Sequence, residues 1–202
     1  HGALRCHPVA AAARDQIDRM SADLDLESLL TARVGDRLIA LAAGGPGRHP
    51  SLRIGQRVPL IPPLGTPFLA WAGEEEVAQW LARAAPGSHV GWLRACLDAV
   101  RARGYAVTLR SAEQGEAGLA VRGLAEAPFA EDRLELAADL IGRMGADYLL
   151  IEAEPDRLHQ VDLISAPVFD GGGQVVCTLS LFGFDRPLSL SRIGALGQAL
   201  QG

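Results

Sequence analysis

Five histidines and three cysteines are the side chains best suited to metal binding or nucleophilic chemistry in this chain of 202 residues. The histidines (His1, His7, His49, His89 and His159) are scattered, without the short spacings that metal ligands need. Cys6-His7 is the one adjacent soft pair, and it lies at a terminus expected to fray. Cys6, Cys96 and Cys177 are odd in number and lack CxxC spacing, which points to free thiols in a reducing compartment. No serine sits in a GxSxG elbow, no HExxH occurs, and no GxGxxG follows an extended run. All nineteen cationic side chains are arginine, and asparagine is absent too. That removes the phosphate-loop lysine, the Schiff-base amine and the N-glycosylation acceptor. Carboxylate runs such as Glu74-Glu75-Glu76 and the pair Asp132/Glu135 suit solvated helix faces. No catalytic residue, no metal ligand and no cofactor is therefore expected.

Two stretches are suited to holding a small molecule. In Leu64-Gly65-Thr66-Pro67-Phe68 a glycine precedes a helix start that Thr66 is expected to cap. Such a glycine lets the backbone approach a ligand, and free N–H groups in the first turn suit an anion. As structure alone the same residues make a capped helix. In residues 175–182, Val175, Cys177, Leu179 and Leu181 form one apolar face, and Val176, Thr178, Ser180 and Phe182 form the other. Two hydroxyls flanked by apolar side chains suit a pocket wall. Cross-strand or water-facing hydroxyls would read the same way.

These segments need a scaffold. Residues 8–24 place Ala13, Ile17, Met20 and Leu24 on one helical stripe. Residues 27–33 and 37–43 read as strands joined by the hairpin turn Val34-Gly35-Asp36, and 51–61 as a further extended run. Helices are expected over 66–72, over 74–85 with three leading glutamates, from a Ser88 cap to a left-handed Gly104, and over 190–200. Residues 105–109, 119–124, 148–153, 161–169 and 174–184 read as extended, and 134–144 as a buried helix. Trp71, Trp80 and Trp92 belong either to the core or to an interface. This mixed order predicts an α+β fold with an antiparallel sheet.

Composition bounds the rest. A net charge of −5 argues against this chain alone gripping nucleic acid. With 49% hydrophobic and 21% charged residues it reads as an ordinary globular protein. No apolar run approaches the ~20 residues of a membrane span, and no secretory leader is visible. A cytoplasmic location without a membrane partner is the expectation, and His1-Gly2 in place of methionine points to a processed or engineered start.

Three stretches, in order, resemble the effector-binding domain of IclR-type transcription regulators. The first is Ile54-Gly55-Gln56-Arg57-Val58-Pro59-Leu60, running on to Gly65-Thr66-Pro67-Phe68-Leu69-Ala70. The second is Val100-Arg101-Ala102-Arg103-Gly104-Tyr105-Ala106-Val107. The third is Ile164-Ser165-Ala166-Pro167-Val168-Phe169-Asp170, then a glycine turn and Val175-Val176 with Leu179-Ser180-Leu181. The resemblance covers residues 26–107 and 161–202. It implies a GAF-like curved antiparallel sheet flanked by helices, holding a small organic effector that modulates DNA binding. It also implies self-association as a dimer or tetramer, and no enzymatic activity. DNA contact would belong to a winged helix-turn-helix that is not in this chain, either removed or naturally absent.

On this basis residues 1–25 form a linker helix and 26–202 the effector-binding domain, with an insertion at 108–160. Combining the resemblance with the two stretches above gives eight candidate ligand contacts: Leu64, Gly65, Thr66, Leu163, Ser165, Thr178, Ser180 and Phe182. The chain departs from the family where Gly-Lys-Ala becomes Gly65-Thr66-Pro67, and where the cysteine and serine positions become Leu163 and Phe182. Fewer polar anchors predict an effector larger and more apolar than a small keto acid. The alternative is an interaction module that kept the fold and lost the ligand, its pocket filled by Phe182 or by the inserted segment. An enzyme would need Asp162, His159 or Glu152 gathered near Thr178 and Ser180.

Overall fold

The structure, a computed structural model, describes residues 8–47, 54–84, 88–110 and 148–201, with side chains from residue 13. Helix α1 (Pro8–Leu24) leads into the hairpin β1 (Glu27–Val34) and β2 (Arg37–Gly44). Then come β3 (Arg57–Pro59), α2 (Thr66–Leu69), α3 (Glu74–Leu81), α4 (Val90–Arg103) and β4 (Ala106–Leu109). The long strands β5 (Val161–Phe169) and β6 (Val175–Phe182) follow, and α5 (Leu190–Ala199) closes the order. The fold is α+β. Six strands in the order β3-β2-β1-β6-β5-β4, all antiparallel, curl into a half-barrel.

The alternation of each strand divides its side chains between two packed faces. On one face α2, α3 and α4 bury Trp80, Leu93, Leu97 and Val100 against Leu38, Val58 and Ala106. On the other, α1 covers Leu30, Ala32, Ile39 and Cys177, and α5 covers Val107, Ile164, Ala166 and Leu181. The expected α1 stripe does meet the sheet: Ile17 is buried there, with Ala13, Met20 and Leu24 packed alongside. The hydroxyls of Ser21 and Ser28 share a buried hydrogen bond of 2.5 Å beneath it. Trp80 is core, Trp92 packs against the same cluster, and so does Trp71, whose ring meets Phe169 edge-on at 5.3 Å.

Several local expectations shift. Gly104 ends α4 in the left-handed conformation at φ 89°, donating to Val100 O, as expected. Ser88 does not cap α4, because the extended N-cap residue is His89, one position later. Helix α3 stops at Leu81 and α2 at Leu69, short of 85 and 72. In β6, Val176 is the extra residue of a bulge, since Phe169 pairs with Val175 and Val168 with Cys177. The bulge exchanges the two ends of the alternation: Val175 turns toward the α2–α4 side and Val176 joins Cys177 against α1.

The strand expected over 148–153 is a single bridge between Leu149 and Thr108, because residues 152–158 are exposed. Even so, Leu109 N–H donates to Tyr148 O and Leu150 N–H to Val107 O, which covers the β4 edge. The strand at 119–124, the helix at 134–144 and the start of the 51–61 run lie outside the described residues.

Candidate ligand-binding site

Between α2 and the sheet lies a cavity of about 160 Å³. Its floor consists of neighbouring cross-strand rows. One row runs Ala106, Ser165, Ser180 and Leu29 across β4, β5, β6 and β1. The next places Thr178 opposite Thr31. Residues 63–68 form the roof, and Leu38, Val58 and Leu149 close the sides.

The roof is held from above. Trp80 Nε1 donates to Leu64 O at 3.1 Å, and Arg101 Nε donates to Ala70 O at 2.6 Å, so α3 and α4 both clamp the α2 segment. Gly65 is the N-cap of α2, at φ 83°, a conformation that favours glycine. A Cβ there would lie 2.1 Å from Leu60 Cδ1. The close approach that glycine permits is thus to Leu60. Thr66 is the first helical residue instead of the cap, and its hydroxyl donates to Pro63 O at 2.5 Å. The N–H groups of Thr66, Phe68 and Leu69 are taken by Pro63 O and Gly65 O, and Pro67 has none. The anion site expected at this helix start is not formed.

Polar character is concentrated on the floor. Ser180 Oγ donates to Ser165 Oγ at 2.9 Å. Among the described residues, the hydroxyls of Thr31 and Thr178 have no hydrogen-bond partner, and both line the cavity. At one side Thr108 hydrogen-bonds Tyr148. Burial, with the Asp162 carboxylate adding to it, pushes the Tyr148 phenol up to about 12. It is neutral at physiological pH, and it is the one ionisable side chain among the described lining residues. Cys96 and Cys177 lie outside the cavity, and burial holds their thiols at about 12 and about 11. Among the described residues, no group of three or more His, Cys, Asp or Glu could hold a metal ion.

No protein-family model matches the chain, and no curated protein matches it in sequence. Solved structures do. The IclR of Thermotoga maritima aligns over 99% of this chain and 67% of its own, with TM-score 0.65 and 16% identity. The repressor BlcR of Agobacterium tumefaciens aligns over 99% and 65%, with TM-score 0.57 and 18% identity. The C-terminal domain of the Escherichia coli transcriptional regulator KdgR aligns over 96% and 92%, with TM-score 0.56 and 20% identity. The chain has the fold of an IclR-type effector-binding domain. It spans about two thirds of the BlcR and Thermotoga chains (65% and 67%) and nearly all of the KdgR domain (92%).

Within this IclR-type fold, seven of the eight expected contacts line the one cavity: Leu64, Gly65 and Thr66 on the roof, Leu163, Ser165, Thr178 and Ser180 on the floor. Phe182 does not line it. It pairs with Leu163 on one side and Glu27 on the other, a row beyond the serines, and is only half-buried. Asp162, His159 and Glu152 do not line it either. His159 is instead buried beside Leu188, bridged to it through the backbone. Leu29 and Thr31 were not anticipated as lining residues. Their signal was the Leu29/Thr31 alternation in β1, which acquires meaning only once β1 is known to lie beside β6.

Proposed function

We propose that this chain is the small-molecule-sensing part of an IclR-type transcription regulator. The cavity carries the reading: a space of about 160 Å³ whose walls are apolar and whose floor presents four hydroxyls. Mostly apolar walls with a few converging polar groups are what a ligand pocket requires. Its effector would favour one arrangement of the regulator over another through differential binding. DNA contact belongs to a helix-turn-helix module outside this chain, and self-association brings the sensing units together. Leu64, Gly65, Thr66, Leu163, Ser165, Thr178 and Ser180 are the proposed contacts, with Thr31 added. Family membership, which the low identities leave to the fold alone, is part of the same proposal.

A thermal-shift screen of small organic compounds tests it. A true effector at a hundred times its Kd should stabilise the chain by ~2.7 kcal/mol. Thr178→Leu, which fills the floor, should abolish that stabilisation while leaving the unliganded melting temperature near that of the parent. Equal stabilisation of both proteins would place the ligand elsewhere. A screen without any hit would favour the ligand-free interaction module.

A further inference from the structure

We infer that the cavity selects an uncharged ligand of about one ring, an alcohol or phenol, and rejects the corresponding carboxylate. The inference rests on the ligand-sensing reading above and specifies what that site accepts. Size comes first. An apolar protein cavity of about 150 Å³ accepts benzene, so about 160 Å³ suits a single ring with a short substituent.

Charge comes second. Among the described lining residues there is no arginine and no histidine, and the chain has no lysine. The first-turn amides of α2, the other source of positive potential, are already hydrogen-bonded inside the roof. The Asp162 carboxylate, which makes ionisation of Tyr148 harder, is itself paired with Arg110 at 3.9 Å, and neither lines the cavity. A carboxylate entering here would lose its hydration and find no cation among the described lining residues, which is strongly unfavourable. A hydroxyl meets no such penalty. It can donate to or accept from Thr31 and Thr178, whose hydroxyls have no other partner among the described residues, while Leu29, Leu38 and Phe68 surround the ring.

Matched pairs test this directly. Benzyl alcohol against benzoate, and cyclohexanol against cyclohexanecarboxylate, are titrated into the intact chain at pH 7, with binding read by NMR shifts and by melting temperature. The alcohols should bind saturably, at least tenfold more tightly than their acids. Thr178→Val, nearly the same shape without the hydroxyl, should weaken alcohol binding about three- to tenfold, the loss of one hydrogen bond. Acids binding as tightly as the alcohols, or more so, would overturn this inference and leave the sensing role standing. A response to none of the four would overturn this inference, and the sensing role would then rest on the broader screen. Should Thr178→Val fail to fold, the comparison of alcohol with acid in the parent chain still decides.

Discussion

Gly65 is fixed twice, by its positive φ and by the Leu60 methyl group lying where a Cβ would sit. Gly65→Ala is expected to lose about 2–4 kcal/mol of stability by chemical denaturation, combining backbone strain with overpacking. Leu60→Ala is itself destabilising, because Leu60 is fully buried, but the two changes together should cost less than the sum of the two alone. Trp80→Phe removes the hydrogen bond to Leu64 O and leaves part of the buried indole's space empty, so it should cost about 2–3 kcal/mol and loosen the roof. The reading of single residues was uneven for a physical reason. Thr178 and Ser180 could be found because their own strand alternates, and Leu64 and Gly65 because a helix start announces itself. Thr31 could not, because what makes it a floor residue is the hydrogen-bonded partner opposite, Thr178.

Among the elements, α5 carries a glycine where helix propensity would prefer alanine by ~1 kcal/mol. The reason is contact: a Cβ on Gly197 would lie 2.4 Å from the Tyr105 ring, which is itself buried. Gly197→Ala should therefore destabilise the fold, by roughly 1–3 kcal/mol. In a Tyr105→Leu background the same change should cost less or even stabilise, and urea titration of the four proteins checks it. Strand starts were legible, with β1, β2 and β5 beginning where expected, although β2 carries an extra residue at Leu41 and β5 at Asp162. The bulge at Val176 was not, since nothing in Val175-Val176-Cys177 signals an extra residue; only pairing with Phe169 and Val168 creates it. Caps slipped for a related reason. Serine and threonine suit an N-cap by type, but at α2 and α4 the preceding backbone put Gly65 and His89 there.

At the scale of the molecule, one sheet has a helical layer on each face, and weakly acidic side chains pack among them, two buried thiols and a half-buried phenol included. Cys96, Cys177 and Tyr148 all have pKa values raised by burial, from 9.0, 9.0 and 10.0 to about 12, 11 and 12. The unfolded chain releases these protons first as the solution becomes alkaline. Their contribution to stability is complete below pH 9.0, and should be lost progressively as pH rises toward 12. Denaturation midpoints between pH 8 and 11 would show the fall, and both thiols should resist alkylation at pH 8 until the chain unfolds. Removing residues 8–24 should expose Leu30, Ala32 and Ile39 and leave a chain that aggregates, read by light scattering. The sheet order itself was not legible, because β1 and β6 are far apart in the chain and nothing local to either names the other. Their pairing has a further consequence. Leu29 meets Ser180 only after β6 has been synthesised, about 150 residues later, so a shorter nascent chain on the ribosome has no floor to offer. On the proposed sensing role, a product ending before residue 175 would lack the floor and should bind no ligand.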